Sequence, residues 1–380
     1  MSQPKDYGFD EDQSLFKDSI QKFLADKKPI DNLRKNIVGT EDPYHGKKRA
    51  GDFDEASWQE MIALGWTAMA VPEEDGGAGM NLVTAACLCE ELGRAAIATP
   101  LTTTLHSTFV LREADTGPAH TTLSKIAEGK SCSLAFQDKH GNLDVDATEV
   151  TADDNNLSGI SYFVQDAQKV DSFIVVAKAA SGIGLYLVEA KAPGVEILPD
   201  IIVDLTRDQG RLSLSNVWAE VIVEPGMANP EDAKAVIKRA MSAILTMVSA
   251  DIAGSAEWLL QSTAEYAKLR VQFERPIGFF QAVKHPIVNM MICSDETRSL
   301  VYNAACAYDF DSDDAESSAR MSKSSASDTA EFCSSRAVQL HGGIGFTWDA
   351  DIQIYFKRLK HNQFFMGDAS WHRQKLGEVI

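Results

Sequence analysis

Along the first third of the chain, apolar residues recur three and four positions apart, the spacing that gathers them on one face of an α-helix. Leu15, Phe16, Ile20, Phe23 and Leu24 make the first such stripe, which starts near Asp12. Asp12 or Ser14 is placed to cap its amino end. The helical period runs to about residue 130. It is broken by Val71-Pro-Glu-Glu-Asp-Gly-Gly-Ala-Gly79, an irregular loop by its Pro and Gly content, and resumes in an amphipathic helix over Leu82 to Ala98. From about Ser131 the period shortens to β-rich runs: Ser133–Phe136, Ser161–Val164, Ser172–Ala177, Gly184–Val188 and Arg211–Leu214. Turn clusters such as Asp138-Lys-His-Gly-Asn142 separate them, predicting a small antiparallel sandwich or barrel. Past Pro230 the helical period returns and persists, with room for four long helices and one acidic interruption, Asp309-Phe-Asp-Ser-Asp-Asp-Ala-Glu316, expected to be a solvated connection. The predicted class is α+β: an N-terminal α-helical domain over 1–130, a middle β-sandwich or barrel domain over 131–228, and a C-terminal four-helix bundle over 229–380.

Composition narrows the function. A chain of 380 residues, 44% of them hydrophobic, buries a large core and is long enough for two or three domains. Its formal net charge of -19 argues against nucleic acid, because phosphate backbones are bound by Lys and Arg. The start has neither a basic nor an apolar leader region, and no run approaches the roughly 18 apolar residues of a membrane span, so a cytoplasmic, unprocessed protein off the membrane is expected. Cys87, Cys89, Cys132, Cys293, Cys306 and Cys333 are spaced neither for zinc nor for a disulfide framework, and are expected to be buried thiols. Asp309, Asp311 and Asp313 lack the glycine and the distal glutamate of a calcium loop, so no metal is expected.

Two segments carry recognisable chemistry: Arg270-Val-Gln-Phe273-Glu-Arg-Pro-Ile-Gly-Phe-Phe-Gln281 and, some sixty residues on, Gln339-Leu-His-Gly342-Gly343-Ile-Gly-Phe346. Together they set an arginine, an aromatic ring, two amides and a bare Gly-Gly backbone where a dinucleotide's pyrophosphate and adenosine would be held. Each residue also has a plainer reading: Arg270 as a solvated helix charge, Phe273 as core, Gly342-Gly343 as a helix C-cap. The glycines do not suit a Rossmann turn, which requires a preceding strand where this sequence has a helix.

The order of helical, β and helical regions, with six motifs in sequence, resembles the acyl-CoA dehydrogenases over nearly the whole chain. The motifs are Val71-Pro-Glu-Glu-Asp-Gly-Gly, Glu90-Glu-Leu-Gly-Arg94, Leu157-Ser-Gly159 with Phe163-Val-x-x-Ala167, Asp204-Leu-Thr-Arg207, Arg270-x-Gln-Phe273 with Phe280-Gln281, and Gln339-x-x-Gly-Gly-x-Gly345. The resemblance implies FAD shared between two subunits. Arg270 would neutralise the pyrophosphate through its fork of donors, Phe273 would cover the adenosine end, Gln281 and Gln339 would hydrogen-bond along the cofactor, and Gly342 and Gly343 would admit phosphate to the backbone.

The same resemblance exposes a gap. The family's catalytic glutamate would fall at Met366, or in other members near Ile244-Leu245, and methionine cannot accept a proton. Asp368, two residues past Met366, is the remaining candidate base. Where the family tends to have Thr-Glu-Pro-Gly and Trp-x-Thr against the flavin ring, this chain has Phe136-Gln137-Asp138-Lys139 and Phe163-Val164-Gln165. The pattern is similar to the heteromeric α2β2 acyl-CoA dehydrogenases of bacterial steroid catabolism. It implies a homologous partner subunit that supplies the glutamate, a steroid side-chain acyl-CoA substrate, and electron-transfer flavoprotein or a similar acceptor. Two alternatives stand beside it: a homo-oligomeric enzyme using Asp368, and a flavin-free scaffold subunit.

Overall fold

In the computed structural model, which describes residues 7, 9, 11–27, 29–37, 54–310 and 312–379, the first helical stretch resolves into α1 (Glu11–Lys27), α2 (Pro29–Ile37), α3 (Glu55–Ala63), α4 (Leu82–Arg94), α5 (Leu101–Ala114) and α6 (Gly117–Ala127). Helix α1 buries Ile20 and Leu24, whereas Leu15 faces solvent. The helix already starts at Glu11, so Ser14 lies inside its first turn; the side chain of Asp12 lies outside the described residues. Helix α4 stops at Arg94 rather than Ala98, because the chain turns through Ala96 at φ +47° to bury Ile97 and Leu101.

The β region comprises β1 (Cys132–Ala135), β2 (Thr151–Asp153), β3 (Asn156–Gln165), β4 (Ser172–Ala179), β5 (Gly182–Glu189), β6 (Val195–Pro199), β7 (Gln209–Trp218) and β8 (Glu220–Val223). They form one sheet in the order β6-β7-β3-β2-β4-β5-β8, with β1 also on β4. The expectation of a purely antiparallel sheet is corrected here, since β1 and β2 each pair parallel with β4. The sheet curls over its own core, where Leu157, Val164, Leu212 and Leu214 of one wing meet Phe173, Val175, Tyr186 and Val188 of the other.

The last region contains α7 (Ala233–Leu269), the two-residue strands β9 (Val271–Gln272) and β10 (Arg275–Pro276), α8 (Gln281–Phe310), α9 (Ser312–His341), α10 (Ile352–Phe364) and α11 (Ala369–Val379). Three of these helices are long, of 37, 30 and 30 residues; α10 completes the four-helix bundle and the short α11 packs on α9. Helix α7 is apolar enough to cross a membrane, yet 89% of the qualifying stretch is buried inside the protein. The bundle explains this hydrophobicity: α7 packs against α4, α5, α8, α9 and α10 at once.

The acidic interruption is not the solvated loop expected. Helix α8 runs through Asp309, and Asp313 already lies in the first turn of α9. Asp309 accepts the backbone N–H groups of Leu82 (3.0 Å) and Val83 (3.1 Å), capping α4 from across the interface between the helical regions. Asp311 lies outside the described residues. Five of the six cysteines are buried free thiols and Cys293 is half-buried.

Candidate functional site

All six cofactor-end candidates come to one end of the bundle. Arg270 ends α7, and the chain then folds into the β9–β10 hairpin, whose turn residues Phe273 (φ +53°) and Glu274 (φ +63°) are both left-handed. Such a turn matches the twist of a two-residue hairpin, but a bulky Phe there is strained and so is held for its position. The hairpin closes when Ile277 N–H donates to the Arg270 carbonyl at 2.8 Å, and Phe280 meets the Phe273 ring edge-on at 5.9 Å. Gln281 opens α8, and Gln339 sits in the last turn of α9. Helices α7 and α9 are registered here by Tyr266, stacked on His341 with ring centres 4.3 Å apart.

Exposure separates the alternative readings of these residues. Phe273 is 84% exposed, so it is not core. Arg270 is exposed and makes no ion pair with a described residue. Gly342 follows α9 at φ +65°, which accounts for it as a helix C-cap. Gly343 needs no left-handed backbone, and a Cβ there would meet nothing within 4 Å. Among the described residues nothing requires that residue to lack a side chain, and its bare backbone is open to the approach of a ligand phosphate. Leu269, Val271, Phe279, Ile344 and Phe346 are also exposed around this end, an apolar group of the kind that marks contact surfaces.

The chemistry-bearing positions at the opposite junction are closed. Ile244 of α7 and Met366 of the α10–α11 turn, the two places where a base was sought, line one cavity with Thr103, His106, Phe136, Phe163, Gln165 and Phe365. Its volume is ≈ 10 Å³, room for about one water at most. None of its lining side chains is a carboxylate. Phe365 is stacked between His106 and His361, at 6.5 and 5.9 Å between ring centres. Gln165, which stands where the family tends to have a residue against the flavin ring, is committed within the chain: its Nε2 donates to the Phe163 carbonyl (3.1 Å) and to Gln209 Oε1 (3.0 Å), while its Oε1 accepts from His361 Nε2 at 3.0 Å. Burial pushes His361 down to about 4 and His106 to about 3, so both rings are neutral and neither brings a charge to the cavity.

Asp368 does not line this cavity. Its Oδ1 accepts the N–H of Trp371 at 2.9 Å and its carbonyl accepts that of His372 at 3.1 Å, so its work is to cap α11. The turn before it is held by a residue that sequence reasoning missed. Lys323 of α9, fully buried, donates to Ser327 Oγ (2.8 Å), to the Gln363 carbonyl (3.1 Å) and to the Gly367 carbonyl (2.7 Å). A lone Lys in the serine-rich run of α9 carries no signal of burial, and only tertiary packing reveals it.

Burial pushes Lys323 down from 10.5 to about 7, with Asp368 opposing weakly. Between these values the unfolded chain binds the additional proton, so the burial penalty is full below the folded value and fades as the pH rises toward the unfolded one. Wild-type stability relative to Lys323→Met is therefore expected to rise between about pH 7 and about pH 10. Thermal unfolding of both proteins at the two pH values checks this, and a constant difference would refute it.

A separate cleft of ≈ 460 Å³ between the loop around Asp144, α7, α9 and α11 contains Lys234, Lys238, Arg320 and Lys375. Each is already paired: with Asp146 (2.7 Å), with Glu316 (3.1 and 2.8 Å for Lys238 and Arg320) and with Glu378 (2.8 Å).

Comparison with known proteins identifies the family. Residues 10–130 match the acyl-CoA dehydrogenase N-terminal domain and residues 235–380 the acyl-CoA dehydrogenase C-terminal domain. The acyl-CoA dehydrogenase IpdE2 of Mycobacterium tuberculosis is 33% identical over 308 residues, 80% of each chain. Among solved structures, a variant of the steroid ACAD Tcur3481-Tcur3483 superposes with a TM-score of 0.84 at 29% identity, covering 97% of both chains. The ChsE4-ChsE5 complex from Mycobacterium tuberculosis shares the fold, with a TM-score of 0.82 at 22% identity over 98% of both chains. With both terminal domains matched and a relative this similar over four-fifths of its length, the chain belongs to the acyl-CoA dehydrogenase family.

Proposed function

We propose that this chain is the cofactor-gripping subunit of a heteromeric, FAD-dependent acyl-CoA dehydrogenase, and that a homologous partner supplies the catalytic glutamate and the flavin-facing surface. The observation that carries the proposal is the division within the chain. Arg270, Phe273, Gln281, Gln339, Gly342 and Gly343 stand exposed at one end, while Ile244 and Met366 share a closed cavity without a carboxylate. A dehydrogenase must remove a proton from the α-carbon of the thioester, and this chain offers no acceptor at either position. The paired cations of the Asp144 cleft point the same way, since each would have to leave a carboxylate before meeting the phosphates of a CoA ester.

In this reading FAD, when bound, accepts the hydride that leaves the β-carbon. The work of this chain is to place it: Arg270 offsets the pyrophosphate charge, Phe273 covers the adenosine, the two glutamines hydrogen-bond along the cofactor and Gly343 leaves its backbone open to phosphate. Exposed Leu269, Val271, Phe279, Ile344 and Phe346 become the contact with the partner. The partner is a second acyl-CoA dehydrogenase chain in an α2β2 assembly, the substrate a steroid side-chain CoA ester, and the acceptor electron-transfer flavoprotein. Support for the partner and the steroid class comes from the compared proteins, one named as a steroid ACAD and one as a two-chain complex.

Co-expression tests the proposal. The chain alone is expected to be colourless and inactive, and to become yellow and active with a homologue that carries the glutamate. Turnover by the chain alone would overturn it, with Asp368→Asn then identifying the base; failure to bind flavin with any partner would leave the scaffold reading. Within the active complex, Arg270→Ala is expected to weaken FAD binding by about 1.5–3 kcal/mol, roughly ten- to a hundredfold, the worth of a hydrogen bond to a charged group. Flavin absorbance per protein after gel filtration reads this directly, and unchanged flavin content would contradict the role given to Arg270.

A further inference from the structure

The largest cavity among those described, ≈ 730 Å³, shares no lining residue with the cofactor end or with the closed cavity. It lies between the α1–α2 corner and helices α4, α7, α8 and α10, and its size falls within the range of small-molecule sites. Its charged wall is built from Lys17, Glu91, Arg94 and Arg298. Lys17 Nζ stands 3.1 Å from Glu90 and 3.2 Å from Glu91, yet its angles to both fall outside hydrogen-bond geometry. Arg94 is paired with the same two carboxylates, at 3.2 and 3.1 Å. Arg298 approaches Glu90 through Nε, at 3.3 Å, and its terminal nitrogens make no hydrogen bond to a described residue.

Three cations therefore face two buried carboxylates. Glu257 of α7 also acts on Arg298, so what the corner offers is less a surplus of charge than a guanidinium end that still has donors to give. Asp351 on the rim is neutralised by Arg34 at 2.5 Å, and Asp31 is exposed at the mouth, where solvent screens it. The remaining wall is apolar: Leu24, Ile30, and Trp258, which is half-buried and stacked on Tyr355 with ring centres 3.8 Å apart. An anion-binding corner joined to an aromatic wall selects a ligand with both features.

We infer that this cavity is a binding site for a monocarboxylate with an apolar, ring-bearing body, its carboxylate on Arg298 and its body along Trp258 and Ile30. A planar fork of donors is suited to a carboxylate, and an aromatic wall to a flat ring. The inference is independent of how the flavin is shared, because none of these residues takes part in holding it.

Calorimetric titration of the full-length protein with 2-naphthoate is the test, with 2-naphthamide as the uncharged control. Saturable binding of one naphthoate per chain is expected, weaker by at least about tenfold for the amide and for Arg298→Gln, since both remove the charge-assisted contact. Arg298 is half-exposed, so the variant is expected to fold. Ala25→Trp, at an exposed α1 position on the lining, places a bulky ring in the cavity and is expected to abolish the heat without changing thermal unfolding. Absence of saturation at millimolar naphthoate, equal binding of the amide, or binding indifferent to both substitutions would each overturn the assignment.

Discussion

Alanine at Asp251 is expected to destabilise the protein by about 3–5 kcal/mol, the usual result of stripping one partner from a buried ion pair. Asp251 and Arg358 are both fully buried, on α7 and α10. Asp251 Oδ1 accepts from Arg358 Nε (3.0 Å) and Asn362 Nδ2 (2.7 Å), and Oδ2 from Arg358 Nη2 (2.5 Å) and Arg207 Nη2 (2.6 Å). Arg358 donates further to Thr206 Oγ1 at 2.7 Å and to the Ile97 carbonyl at 3.3 Å. The cluster thus ties the bundle to the β6–β7 loop and to the α4–α5 connection. Without Asp251, two guanidinium groups lose their hydrogen-bonded carboxylate, and fully buried Arg358 is left with only the more distant Asp204.

Burial alone would raise the Asp251 carboxyl, but Arg358 and Arg207 outweigh it and hold the group below its ordinary value of 3.8. A depressed folded value means that this stability is present above the unfolded pKa and is lost as the pH falls through the folded one. Asp251→Ala is therefore expected to show its full deficit at neutral pH and a smaller one in acid. Urea unfolding at the two pH values measures it. A deficit below about 1 kcal/mol at neutral pH would mean that the cluster is not a buried charge system at all.

Gly254→Ala is also expected to be strongly destabilising, against the helix propensity that favours alanine by roughly 1 kcal/mol. A Cβ on Gly254 would stand 1.8 Å from the Glu90 carbonyl oxygen and 2.9 Å from Arg94 N; one on Gly93 would stand 2.2 Å from the Asp251 carbonyl oxygen. The two glycines let α4 and α7 cross with their backbones touching, and Ser255 Oγ confirms the closeness by donating to the Gly93 carbonyl at 3.0 Å. Both sides of the clash are helical backbone, so there is no flexible side chain to give way. Parting the helices would also disturb the Glu90–Glu91 and Asp251 clusters that flank the crossing. A cost above the roughly 1–3 kcal/mol of ordinary overpacking is expected, seen as loss of soluble protein. Soluble Gly254→Ala with an unchanged unfolding temperature would contradict this close approach.

Much of the architecture is legible in the periodicity because the apolar residues of α1 and α4 face one core, while β4 and β5 are buried on both faces between two cores and so read as continuous apolar runs. Strands β2, β6 and β8 were not read, since they are short, and half-exposed β6 carries a glutamate and ends in proline. The acidic run 309–316 misled for a different reason: Asn81 caps α4 locally through Thr84 N–H, and Asp309 takes the N–H groups of Leu82 and Val83 that Asn81 leaves open, a contact from another helix that leaves no local trace. Arg270, Phe273 and Gly343 were singled out by motif and spacing, and the structure leaves all three exposed at one end of the bundle. The roles of His106, His361 and Lys323 were not legible, because a lone His or Lys reads the same whether it is buried or solvated.

What the sequence by itself determined is chemical identity: methionine at 366 and isoleucine at 244 cannot take a proton in any fold, and an arginine at 270 is charged in every one. Only the tertiary structure decided that Ile244 and Met366 line the same closed cavity, that Asp368 caps a helix instead of facing it, and that Gly343 is bare with nothing of its own chain nearby. The reason is range. A side chain's protonation chemistry is a property of one residue, whereas a cavity, a cap or an open approach is set by segments brought together across more than a hundred positions, which local pattern does not encode.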